Sequence, residues 1–242
     1  MIFVVLSAYN ESVEMPGLLQ RFDRLAIDSD EPLQIIVVDD GSTDGTAVVT
    51  RETRVSVPVA LVVHPKNLGL GAGLLTGLRK ASELASSDDG VVTLDADNTH
   101  DPRYVIDLRR KMNEENLDVV VASRYAGGGR EVGVSLFRRT LSHGASWVYR
   151  AFFRTPGLRD FTCGYRMFRA GILQEAFSRY GDRFIEETSF AATGEIILKL
   201  RRLTDRFGEV PFVLRYDMKH TKSKMAKLRT VVRTVCVLWK HR

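Results

Sequence analysis

Five short apolar runs recur along the first half of the chain: IFVVLS at 2–7, LQIIVVDD at 33–40, VALVV at 59–63, GVVTLDA at 90–96 and LDVVVAS at 117–123. Between them MPGLLQRFDRLAI (15–27), DGTAVVTRET (44–53), LGAGLLTGLRKASELA (70–85) and PRYVIDLRRKMNE (102–114) space their apolar residues three and four apart. That is the period of a helix with one buried face. Runs of Val and Ile without polar alternation predict strands covered on both faces, hence a mostly parallel sheet with helices on each side. The fold class expected is α/β and Rossmann-like.

From 126 to 215 the texture changes. A Gly-rich loop AGGGREVG precedes a long helical stretch VSLFRRTLSHGASWVYRAFF (134–153), a strand-like CGYRMFR (163–169), a helix near 187–201 and a final strand EVPFVLRY (209–216). No linker or low-complexity segment divides the halves, so residues 1–218 are expected to form a single domain, followed by a basic tail, 219–242.

Composition narrows the class without changing it. Apolar content of 44% and charged content of 27% over 242 residues describe one ordinary soluble α/β domain. Two isolated cysteines, Cys163 and Cys236, give neither a disulfide framework nor a zinc site and fit a reducing, cytoplasmic compartment. The apolar start lacks a basic n-region and reads as the first strand, and no run approaches the roughly 18 apolar residues that span a bilayer. The net charge of +5 is modest and no nucleic-acid partner is expected; after Lys219 the chain contains no acid. That tail, with Val231, Val235, Leu238 and Trp239 among Lys227, Arg229 and Arg233, reads either as a helix docked on the domain or as one lying on an anionic membrane surface.

Ligands of open parallel sheets collect at the carboxyl ends of the strands. Polar clusters stand at all five: Ser7–Glu11, Asp39–Asp44, Asn67–Gly73, Asp95–Asp97 and Ser123–Tyr125. In an extended segment Asp95 and Asp97 share a face, and two neighbouring anions call for a cation; the competing reading is a plain turn, with Asp101 as helix N-cap and Pro102 in the first turn. VVDDGSTDGT is a turn and cap, or presents Asp39 or Asp40 to a nucleobase or ribose. NLGLGAG could cradle phosphate, although one Gly-rich loop is weak evidence. Arg138, Ser142 and Ser146 fall on one helical face with Arg139 beside them, which on a lone helix reads as a solvated stripe.

The ordered segments SAYNE (7–11), VVDDGSTDGT (37–46), NLGLGAGLLTGLRKA (67–81), LDADNTHDP (94–102), ASRY (122–125) and CGYRMFR (163–169) resemble family 2 glycosyltransferases of the GT-A fold. Within that family the chain looks nearest to the polyprenyl-phosphate, or dolichol-phosphate, mannosyltransferases and glucosyltransferases. The resemblance implies a nucleotide-sugar donor, GDP-mannose or a UDP-sugar, across Ala8, Tyr9, Glu11, Asp39, Asp40 and Asp95. It implies Mg²⁺ or Mn²⁺ on Asp95 and Asp97, and a polyprenyl-phosphate acceptor held by Arg124, Arg138, Ser142, Arg215 and Lys224. Asp95, Asp97 and Arg124 are the expected catalytic group, the reaction inverts the anomeric centre, and the enzyme works peripherally at the cytoplasmic face of a membrane.

Two rivals stand beside it. Transfer to a sugar hydroxyl would need a carboxylate base, for which Glu186 or Glu187 is available, though either also reads as a helix-start residue. A non-catalytic nucleotide-binding domain or a Rossmann-type oxidoreductase is the third reading. The chain departs from the family pattern at Ser7, usually Pro; at Leu70, commonly basic; and at Thr99, often a Gln completing metal coordination. The Gln-x-x-Arg-Trp motif of processive synthases is absent, which implies single transfer.

Overall fold

A computed structural model describes residues 1–29, 31–153, 155–218 and tail positions 233, 234, 236, 237, 239 and 240, with the side chains at 136–138, 141, 145 and 151 outside that description. The five predicted strands form as β1 (Ile2–Ala8), β2 (Leu33–Asp39), β3 (Val59–Val63), β4 (Gly90–Asp95) and β5 (Val119–Ser123). Three more follow: β6 (Arg130–Val132), β7 (Arg166–Arg169) and β8 (Phe207–Pro211), with a short β9 (Val213–Arg215) after them. The main sheet runs β3-β2-β1-β4-β7-β5-β8, and β6 pairs with β9 in a small second sheet. Every pairing in the main sheet is parallel except those of β7, which lies antiparallel between β4 and β5. The expected α/β, mostly parallel architecture is therefore present.

Helices α1 (Met15–Ser29), α2 (Thr46–Glu52), α3 (Leu70–Leu84), α4 (Tyr104–Glu114), α5 (Leu136–Phe152), α6 (Ala170–Tyr180) and α7 (Ala192–Leu200) connect them. Helix α1 shows why the pattern specifies the packing: Met15, Leu18, Leu19, Phe22 and Leu25 all face inward at three- and four-residue steps. Helix α3 carries Gly73 and Gly77, where an added methyl would strike Ser7 and Val5 of β1, so the helix sits directly on that strand.

Several boundaries differ from expectation. The run 209–216 is two strands in two sheets, because the chain leaves β8 at Phe212, a buried ring packed with Tyr104 and Tyr165. Helix α6 and strand β6 carry no strong periodic signal and were not expected. The helix expected near 187–201 starts only at Ala192. Its first stretch is held as a loop, since Glu186 and Glu187 donate their backbone N–H groups to buried Glu195 Oε2 at 3.0 and 2.8 Å. Asp101 accepts from the backbone N–H of Arg103 at 3.0 Å and shapes the turn before α4, whose N-cap position is Arg103.

Candidate active site

The loop leaving β4 is tied down at every residue that matters. Asp95 closes the strand and donates its backbone N–H to His100 Nδ1 at 3.0 Å, while the buried His100 ring stacks on Tyr165. Asp97 Oδ1 accepts from Thr99 twice, from the hydroxyl at 2.6 Å and the backbone N–H at 3.2 Å. Arg21 holds Asn98 and donates to the His100 carbonyl, and the Arg215 backbone N–H donates to the Thr99 carbonyl at 3.1 Å. The residues around the two acids thus fix the loop backbone and one carboxylate oxygen in advance.

The loops after β1 and β2 are zipped together. Asn10 donates its N–H to Ser42 Oγ at 2.8 Å and accepts from Thr43 N–H at 2.8 Å, Glu11 N–H donates to Thr46 Oγ1 at 2.9 Å, and Ser12 N–H donates to Asp44 at 3.0 Å. Ala8 is buried at the end of β1, Tyr9 is half-buried beyond it and Glu11 is buried. Asp39 accepts from Ser42 N–H at 3.0 Å. These residues edge the same end of the sheet as Asp95.

Asp40 differs from its neighbour. One of its oxygens meets His64 Nδ1 at 2.7 Å and accepts from Leu68 N–H at 2.9 Å, and the other accepts from Gly69 N–H at 2.8 Å. Its carboxylate is committed to holding the Gly-rich loop, whereas the hydrogen bond shown for Asp39 is the one from Ser42. The glycines of that loop serve close packing. Gly69 has φ +96°, and methyl groups on Gly69 and Gly71 would collide with the carbonyls of Thr188 and Glu187. Gly71 N–H donates to Thr188 O at 3.1 Å, so the 186–188 loop lies over the start of α3.

At the end of β5, Arg124 is nearly buried and forms a two-bond ion pair with Asp160, Nε to Oδ2 at 2.8 Å and Nη2 to Oδ1 at 2.7 Å. It donates further to Thr162 Oγ1 at 2.6 Å and to Glu131 Oε1 at 3.1 Å. Burial opposes its charge, but Asp160 overcomes this and keeps the guanidinium protonated well above its ordinary value. Burial likewise pushes the Asp160 carboxyl up, and Arg124 reverses the shift, leaving it lowered. Ser142, on α5, accepts from Tyr125 Oη at 2.9 Å and lies 3.3 Å from Thr162 Oγ1. Arg124 and Ser142, far apart in sequence, therefore meet through Thr162.

The other expected acceptor residues divide. Ser146 is buried on the same helix with no hydrogen-bond partner for its hydroxyl among the described residues, which fits a packed face and not a solvated stripe. Arg139 is half-exposed, with Nε 3.9 Å from Glu131. Arg215 is paired with Asp217 at 2.8 Å and reaches the β4 loop through its backbone. The side chain of Arg138 and all of Lys224 lie outside the described residues.

Strand register unites the two halves. Thr93 and Val121 both pair with Arg166 of β7, so Asp95 and Ser123, each two residues further on, stand level across the sheet end. Two strand spacings, about 10 Å, separate them. The loop before β7 fills the interval: Asp160 holds Arg124 at one end, and at the other a methyl on Gly164 would lie 3.4 Å from Asp95 Oδ1. Asp160, Thr162, Glu131 and His100 are site residues that sequence reasoning missed.

Glu186 and Glu187 are engaged elsewhere. Glu186 pairs with Lys199 at 3.1 Å and Lys240 at 3.0 Å, and Glu187 with Arg233 at 2.7 Å. Burial alone would raise Glu186, yet hydrogen bonds and charge from Lys240 and Lys199 bring it down to about 2. Arg233 and Lys240 thus tie the tail to the domain, with Val237 buried, while Trp239 is 81% exposed. Among the described residues no helix is long and apolar enough to cross a membrane.

This architecture is the GT-A fold. Glucosyl-3-phosphoglycerate synthase from Mycobacterium tuberculosis, solved with Mn²⁺, UDP and glucosyl-3-phosphoglycerate, superposes with a TM-score of 0.71 at 19% identity, covering 100% of this chain and 79% of that one. The Glycosyl transferase family 2 model matches residues 3–177, and the chain belongs to that family. It is 31% identical over 178 residues to polyprenol monophosphomannose synthase of Mycolicibacterium smegmatis, covering 71% of this chain and 63% of the relative. It is 30% identical over 159 residues to dolichol-phosphate mannosyltransferase of Pyrococcus furiosus, covering 66% of this chain and 42% of the relative. The chain therefore spans less than two thirds of the length of either. A third relative, UDP-N-acetylglucosamine–dolichyl-phosphate N-acetylglucosaminyltransferase of Methanococcus voltae, is 27% identical over 226 residues, covering 87% and 84%.

Proposed function

We propose that the protein is an inverting glycosyltransferase that moves a hexose, mannose from GDP-mannose, onto a polyprenyl phosphate. The observation that carries this reading is the level placement of the Asp95–Asp97 loop and the Arg124–Thr162–Ser142 cluster at one sheet end. One offers hard oxygen ligands and the other offers cations and hydroxyls for an anion. The names of two relatives, a polyprenol monophosphomannose synthase and a dolichol-phosphate mannosyltransferase, favour mannose as the sugar.

The donor set at the metal position fits Mg²⁺ or Mn²⁺. Asp95 and Asp97 would hold the ion, Thr99 orients Asp97, and among the described residues no group of three His, Cys, Asp or Glu forms a full protein cage. Such ions keep open positions for phosphate oxygens. Bound there, a divalent cation supplies charge stabilisation for a departing diphosphate.

The chain's own residues do the rest. Ala8, Tyr9, Glu11 and Asp39 border the nucleotide side. Arg124, Ser142 and Thr162 border the acceptor phosphate, and Arg215, Arg138 and Lys224 complete that set. The phosphate oxygen is already anionic, so it forms its bond to the anomeric carbon without a protein base while the diphosphate leaves with the electron pair of the broken bond. Attack from the opposite side inverts the centre. Arg positions and balances the anion. The ion-paired, acid-shifted Glu186 is poorly suited as a base, which weighs against the hydroxyl-acceptor alternative. Exposed Trp147 and Phe152 on α5 and Trp239 in the tail support peripheral contact with an anionic membrane surface.

The test offers labelled GDP-mannose, UDP-glucose and UDP-GlcNAc with a short polyprenyl phosphate and Mg²⁺ or Mn²⁺. Transfer from GDP-mannose to the phosphate and not to the matching alcohol is expected. Transfer from UDP-GlcNAc alone would reassign the donor toward that of the Methanococcus voltae relative, and no transfer from any donor would remove the proposal.

A further inference from the structure

Around Arg124, where the acceptor phosphate is proposed to bind, the described acids already match the described cations. Among the described residues there, Arg124 and Arg139 contribute two positive charges and Asp160 and Glu131 two negative ones, while Arg215 is matched by Asp217. A phosphate monoester carrying about −1.5 to −2 charge gains little by entering a balanced site that includes buried carboxylates. One of the acids must give way.

The two acids are held very differently. Asp160 is wholly buried and accepts two bonds from the Arg124 side chain and further ones from the backbone N–H groups of Arg124, Thr162 and Cys163 at 3.2, 3.2 and 3.0 Å. It is part of the fold. Among the described residues Glu131 has a single hydrogen bond, from Arg124 Nη1 at 3.1 Å. Its other oxygen is buried, accepts no hydrogen bond among the described residues, and faces Arg139 Nε at 3.9 Å. It sits on β6, a strand of only three residues.

We propose that Glu131 is an internal stand-in for the acceptor's phosphate, bridging Arg124 and Arg139 until an incoming phosphate displaces it. This rests on the acceptor reading given above. Glu131 would then act as a selectivity gate. It screens the two arginines from weak anions and yields only to a group of higher charge with more acceptor oxygens. Apparent affinity for the acceptor is lowered by the fraction of molecules in which Glu131 occupies the site.

The test is calorimetric titration of the full chain with a short-chain polyprenyl phosphate, with the matching alcohol and with inorganic phosphate, comparing wild type with Glu131→Gln. The variant is expected to bind both phosphates about fivefold or more tightly, with the alcohol unchanged. Equal or weaker phosphate binding by a folded variant overturns the gate and makes Glu131 a fixed positioning residue for Arg124. If neither protein distinguishes phosphate from alcohol, the acceptor site itself is misplaced and the gate falls with it. Should Glu131→Gln melt early, Glu131→Asp, one methylene shorter, is expected to tighten phosphate binding by a smaller factor, and its failure to do so counts against the gate equally.

Discussion

Arg124 and Asp160 face each other through two parallel hydrogen bonds of 2.8 and 2.7 Å, at a point where the end of β5 meets the loop leading into β7. The pair does more than neutralise charge. It fixes the loop whose other end, Gly164, lies against Asp95, so the proposed acceptor and metal sides share one support.

Removing one partner from such a buried pair leaves an uncompensated charge. Asp160→Asn is expected to destabilise the protein by about 3 kcal/mol or more, seen as a lower denaturant midpoint, and to reduce transfer. An unchanged midpoint would mean that Arg124 finds another partner.

Thr99 offers a narrower probe. Its hydroxyl donates to Asp97 at 2.6 Å and stands outside the proposed ligand pair. Thr99→Val should weaken Mn²⁺ affinity by about 10- to 100-fold while leaving the fold intact, as measured by metal titration in the presence of nucleoside diphosphate.

Much of this site was legible in the chain. Unbroken apolar runs marked five strands, and the polar residues that end them had to gather at one edge because parallel strands put their carboxyl ends together. Asp95, Asp97 and Asp39 stand there. What escaped were contacts that periodicity does not encode. Asp160 reaches Arg124 across 36 positions, Glu131 lies in a loop-like stretch that forms β6 only by pairing with β9, and Asp40 looks like Asp39 until His64 and the 68–69 backbone are seen to occupy it. The Gly-rich loop illustrates the same limit: its glycines suggested a phosphate cradle, and the crowding comes from Glu187 and Thr188, more than a hundred residues later.

Gly71 tests that packing directly. An added methyl meets the Glu187 carbonyl, backbone against backbone, so neither side can yield by turning a side chain. Gly71→Ala is expected to cost about 1–3 kcal/mol in thermal or denaturant unfolding.

The latch between the tail and the 186–188 loop has a pH signature. The folded Glu186 carboxyl lies at about 2 against 4.5 for an unperturbed one, so its contribution is fully present above about 4.5 and is lost as pH falls toward 2. Between those values wild type should lose stability that Glu186→Gln lacks throughout, giving the variant a flatter dependence in acid unfolding titrations. Parallel curves would show that Lys199 and Lys240 do not hold the group.

The most direct measurement is anomalous diffraction from crystals soaked with Mn²⁺ and GDP. A manganese ion bonded to the Asp97 carboxylate and to diphosphate oxygens, lost in Asp97→Asn, is the predicted result. Nucleotide bound at this sheet end with manganese absent or seated away from Asp95 and Asp97 would contradict the account.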